Sequence, residues 1–159
     1  MGERRFSTKN RFVSFLLAIA MVLTLLPIGA VQAKAEDATV KLYFELPDGT
    51  TVTDWGVNVW SAAKVSKGDT ENAFRPKTWG TTGDKYPTLL ADQTNKGWGY
   101  VEISGTIDGL QFVNTDGKEY KCWNAQIANE GHKEAYFDPS VEKWYTSAEK
   151  TIEIEAAEI

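Results

Sequence analysis

The chain has 159 residues and a net charge of −5, but its first 33 residues carry +3 and the remaining 126 carry −8. One domain suits a body of that size, which falls short of the roughly 200 residues or more that a barrel-type hydrolase needs. An acidic body lacks the Lys/Arg stripe that phosphate backbones require, which excludes nucleic acid as a partner, and aromatics at 12% argue against disorder.

The first element is a leader. Arg4, Arg5, Lys9 and Arg11 precede a nearly continuous apolar run from Phe12 to Val31, broken by Pro27 and Gly29 and followed by small residues around Ala33 and Ala35. That order is the signature of a secretory signal peptide, cut after Ala33 or Ala35. An uncleaved anchor is the competing reading, since about twenty apolar residues span a bilayer; the helix breaker and the small residues favour cleavage. The expected organisation is a signal peptide over 1–33, a module over 38–153, and a tail or the start of a linker over 154–159. The expected location is extracellular or at the cell surface, with no membrane contact once the leader is cut.

The rest of the chain has period two. Val40, Leu42, Phe44 and Leu46 alternate with Lys41, Tyr43 and Glu45, and Pro47-Asp48-Gly49 makes a turn. Trp55 to Ala62 reads as a second strand, and Lys64 to Asp92 as a long polar excursion with short extended pieces. Trp98 to Ser104, Leu110 to Thr115, Lys118 to Ile127, Glu134 to Phe137, Val141 to Thr146 and Thr151 to Glu155 complete the set. Seven to eight short strands without an amphipathic helix predict an all-β fold, an antiparallel, immunoglobulin-like β-sandwich.

Alternation assigns the aromatics to faces. Trp55, Val57 and Val59 share one face and Gly56, Asn58 and Trp60 the other, so the valines mark the core and Trp60 points outward beside Asn58. If Cys122 is buried with Tyr120, then Lys121 and Trp123 face outward. Trp79 lies in a polar loop, while Trp55, Trp98 and Trp144 read as core or core rim. Cys122 is the only Cys and His132 the only His, so no intrachain disulfide forms and Cys122 reads as a small buried residue. An exposed Trp beside a side-chain amide suits a sugar, the ring stacking on C–H groups while the amide holds hydroxyls.

Thr39-Val40-Lys41-Leu42-Tyr43-Phe44, Pro47-Asp48-Gly49 and Asp54-Trp55-Gly56-Val57-Asn58-Val59-Trp60 resemble the start of the family 41 carbohydrate-binding module, which accompanies pullulanases. Phe137-Asp138-Pro139-Ser140 and Glu142-Lys143-Trp144-Tyr145 resemble its closing strands. The resemblance implies a β-sandwich that binds α-glucans without catalysis. It places the site on Asn58, Trp60 and Trp123, with Lys121, Asn124 and Gln126 as polar neighbours. Asn58 stands where the family usually has an aromatic or His. Trp98-Gly99-Tyr100 and Phe112-Val113-Asn114 also resemble the family 25 and 26 starch-binding modules, which would bring Trp79 into the site.

The expected function is therefore that of a secreted, non-catalytic module binding starch, pullulan or glycogen, with other parts of an amylolytic system as further partners. An immunoglobulin-like adhesion domain that binds protein is the alternative, since exposed Trp also suits protein hot spots. Enzyme activity is not expected. No pair of carboxylates is placed for glycoside hydrolysis, and no metal-ligand cluster, nucleophile elbow or phosphate loop is present, so no cofactor is expected either.

Overall fold

The computed structural model describes residues 39–60, 62–122 and 131–155. The leader, Trp123, Asn124 and Gln126 lie outside the described residues. Among those described, no helix is long and apolar enough to cross a membrane.

Among the described residues, eleven strands form two sheets. They are β1 (Thr39–Glu45), β2 (Trp55–Val59), β3 (Lys64–Lys67), β4 (Asp69–Phe74), β5 (Tyr86–Thr88), β6 (Leu90–Ala91), β7 (Trp98–Ser104), β8 (Leu110–Asn114), β9 (Glu119–Cys122), β10 (Glu134–Asp138) and β11 (Lys143–Tyr145). One sheet runs β11-β10-β1-β7-β3, with β6 also paired to β7; the other runs β4-β5-β2-β8-β9.

The two sheets pack as a β-sandwich, and alternation explains why. Val40, Leu42 and Phe44 of β1 bury one face of the first sheet together with Val101, Ile103, Phe137 and Trp144. They meet Trp55, Val57, Leu110, Phe112 and Tyr120 of the second sheet in one cluster. Phe44 is its hub, with ring centroids 4.7 Å from Trp55 and 4.6 Å from Phe112. Each fully buried side chain of this size contributes roughly 1.5–3 kcal/mol.

Three features refine or depart from the sequence reading. The short extended pieces expected between Lys64 and Asp92 form four paired strands, β3, β4 and β6 at sheet edges, where no apolar alternation is needed, and the three-residue β5 between β4 and β2. β1 and β10 pair in parallel, Phe44 opposite Phe137, so among the described residues the sandwich is antiparallel except for this one ladder. The last expected strand reduces to a single bridge between Tyr145 and Glu153. The turn between β1 and β2 follows the sequence. Thr50 N–H donates to the Pro47 carbonyl at 3.0 Å, with Gly49 at φ +77°, a conformation open to glycine.

Candidate functional site

β2 is a central strand, and its neighbours fix what lies beside Asn58. Trp55 and Val57 are both 1% exposed, so Gly56, Asn58 and the following Trp60 take the outer face. Trp60 continues the β2 ladder, its N–H donating to the Gly109 carbonyl at 3.0 Å, and its side chain is half-buried.

Register then builds a polar row across three strands. Asn58 lies opposite Gln111, and Gln111 opposite Lys121. Gln111 Nε2 donates to Glu119 Oε2 at 2.6 Å, and Lys121 Nζ meets Glu119 Oε1 at 2.9 Å. A sheet places these side chains about 5 Å apart from strand to strand. Trp60 sits about 6–7 Å along the strand from Asn58. Tyr120 points into the core, so Lys121, on the alternate position, is exposed on the outer face as expected.

The excursion covers the other end of the same face. A Cβ on Gly56 would meet the Phe74 ring at 3.2 Å and the Tyr86 Cβ at 3.3 Å, which explains the glycine there. Trp79 stands edge-on to Tyr86, centroids 5.5 Å apart at 81°. The turn Lys77–Trp79 is held to the β8–β9 hairpin by Lys77 N–H donating to the Thr115 carbonyl at 3.0 Å and by the Lys77–Asp116 ion pair at 2.8 Å. Thr115 lies at the Trp55 end of β2 and Leu110 at the Val59 end, so the Trp79 turn and Trp60 occupy opposite ends of this face.

The outer face thus brings together Asn58, Trp60 and Lys121, and joins to them Gln111, Glu119, Phe74 and Tyr86, which the sequence reading had not singled out. Gln111 was within reach, because it alternates with the core residues Leu110 and Phe112. Phe74 and Tyr86 were not, since each is an isolated aromatic in a polar stretch. Trp79 is half-buried rather than free in a loop, and Trp123 and Asn124 lie outside the described residues.

A second aromatic group lies on the outer face of the other sheet. Tyr43, Trp98 and Tyr136 are buried there, flanked by Tyr100 and Tyr145. Trp98 therefore belongs to this group and not to the main core. Lys41 Nζ lies 4.1 Å from the Tyr100 centroid and 4.8 Å from that of Tyr43. These rings are occupied by one another and by lysine, so they offer little free face to a ligand. Among the described residues no group of three His, Cys, Asp or Glu side chains is placed to hold a metal ion.

Comparisons with protein-family models, with curated proteins and with solved structures give no match.

Proposed function

We propose that the domain is an exported, non-catalytic α-glucan-binding module whose site is the outer face of β2, β8 and β9. The observation that carries this reading is the position of Trp60 next to the Asn58–Gln111–Lys121 row. Trp offers an apolar face for sugar C–H groups and the Asn58 amide donates and accepts at once, while Gln111, 3% exposed, fixes Glu119 rather than meeting the ligand. The resemblance of the Asp54–Trp60 stretch to the family 41 module supports the same choice of ligand.

Energetics make such a site weak by itself. Covering a Trp ring is worth roughly 1.5–3 kcal/mol and a hydrogen bond about 1, against the entropy of association. Affinities on the order of 10 µM to 1 mM follow. Attachment to an enzyme or a surface that engages the same polymer raises the effective concentration and makes weak sites useful.

Native electrophoresis through starch, pullulan, xylan and polysaccharide-free gels tests the proposal. Retardation in starch and pullulan alone is expected, and Trp60→Ala should abolish most of it. Equal mobility in all four gels would refute glucan binding and favour the protein-adhesion alternative.

A further inference from the structure

A cleft of about 420 Å³ opens at one end of the sandwich, away from the Trp60 face. It exists because β1 and β10 run parallel and finish side by side, bringing Glu45 and Asp138 together. Lys150 lies between these carboxylates, its Nζ 2.6 Å from Asp138 Oδ2 and paired also with Glu45. Leu46, Pro47, Pro139 and Tyr120 supply apolar lining. Asp48 and Lys118 also line the cleft; both are exposed, and neither forms an ion pair within the described residues. Lys118 Nζ rests 5.1 Å from the Tyr120 ring centroid.

The lining selects its ligand by elimination. Lys150 already fills the space between the two carboxylates, which removes the place for a bare cation. Three carboxylates in the lining, Glu45, Asp48 and Asp138, oppose an anion. Acceptors and donors next to an apolar wall suit a neutral ligand rich in hydroxyls. A carboxylate accepts from two adjacent hydroxyls, an ammonium donates to a hydroxyl oxygen, and the proline and tyrosine surfaces cover C–H groups. The volume lies within the ~300–1,000 Å³ range of small-molecule pockets, enough for a short saccharide end.

We infer that this cleft is a second saccharide subsite, one that takes a chain end while the Trp60 face takes the side of a chain. The choice of a saccharide among neutral polyols rests on the function proposed above.

The test is a titration of the isotope-labelled protein with maltotriose, followed by the amide resonances. Asp48, Lys118, Ser140 and Lys150 should shift along their own binding curve, distinct from that of Asn58 and Trp60. The double variant Asp48→Asn, Lys118→Ala should weaken the cleft curve about tenfold or more and leave the other unchanged, as loss of two charge-assisted hydrogen bonds implies. A silent cleft with shifts at Asn58 and Trp60 overturns this inference and leaves the proposed function standing. Shifts confined to the cleft keep the inference and remove the Trp60 face as the site. A cleft curve that the double variant does not alter overturns the assignment, and silence in both groups overturns both.

Discussion

Tyr43 and Tyr136 stand ring against ring on the outer face of the first sheet, centroids 4.1 Å apart and 4° from parallel. They are directly opposite one another in the parallel ladder of β1 and β10, and Trp98 closes the pair edge-on at 5.4 Å from Tyr136. Such contact holds β1 and β10 together from outside, complementing Phe44 and Phe137 on the inside. Burial raises both phenol pKa values above their ordinary 10.0, and the neighbouring Tyr43 hydroxyl raises that of Tyr136 further.

Tyr43→Ala should therefore destabilise the domain by about 3–5 kcal/mol, the range for truncating a buried aromatic. Glucan binding per folded molecule should not change. Urea denaturation together with starch-gel mobility separates these effects; a loss of binding at unchanged stability would mean that the tyrosine face is itself a site.

Trp55 and Trp60 share a strand but not a role. Trp55 is buried against Phe44 and donates from Nε1 to Thr50 Oγ1 at 3.2 Å, so Trp55→Ala should cost about 3–5 kcal/mol of stability. Trp60→Ala should weaken α-glucan retention about tenfold or more, as a lost stack of roughly 1.5–3 kcal/mol implies. Its half-buried ring makes a smaller loss of stability part of the expectation. Asn58→Trp adds a second platform two residues away and should tighten binding by up to about tenfold. Affinity electrophoresis measures all three; weaker binding by Asn58→Trp would mean that the amide holds the ligand.

Much of this architecture is legible in the chain itself. Val40-Lys41-Leu42-Tyr43-Phe44 alternates cleanly, and Trp55-Gly56-Val57-Asn58 does so too, because each strand has one face in the core. Asp116-Gly117 likewise marks the β8–β9 turn, where Asn114 Oδ1 accepts from Lys118 N–H at 2.7 Å. Strands β3 to β6 are legible only as short extended pieces, since β3, β4 and β6 are edge strands that need backbone partners and not apolar periodicity, and β5 has only three residues. The parallel pairing of β1 with β10 is also hidden, as it joins residues some ninety positions apart and no local turn signals it. Face alternation points to Asn58 and Trp60, but the row they form with Gln111 and Lys121 depends on register, which the sequence leaves open.

Gly117 controls where Trp79 sits. Its φ is +94°, and an added Cβ would fall 1.9 Å from Thr78 Oγ1, in the turn that carries Trp79. Gly117→Ala should cost about 2–4 kcal/mol, combining left-handed strain with displacement of Thr78. Gly97→Ala is the control, with φ +84° but nothing within 4 Å of the added Cβ, and should cost only about 1–2 kcal/mol. Thermal unfolding gives both values, and the Trp79 indole resonance should move in Gly117→Ala alone. Equal costs would show that the Lys77–Trp79 turn is not seated against the hairpin.

The Lys150–Asp138 contact sets the limits of the pH range in which the strand ends stay joined. Burial works against the Asp138 carboxylate, but Lys150 and the Ser140 N–H and hydroxyl hold its pKa below the ordinary value. Burial likewise opposes the Lys150 ammonium, and Asp138 and Glu45 outweigh it, raising its pKa. A lowered carboxylate pKa adds stability above the ordinary ~3.9 that is lost as pH falls through the folded value. A raised lysine pKa adds stability below the ordinary ~10.4 that is lost as pH climbs through the folded one. Stability should thus have a plateau between these limits, with the ionisation of Tyr43 and Tyr136 adding to the alkaline fall. Asp138→Asn should lower the plateau by about 1–3 kcal/mol, less than for a fully buried pair because Lys150 and Glu45 remain partly exposed. It should also flatten the acid limb, so that variant and parent converge in strong acid. Urea titrations from acid to neutral pH give the comparison; curves that stay parallel would show that the carboxylate of Asp138 is not what fails in acid.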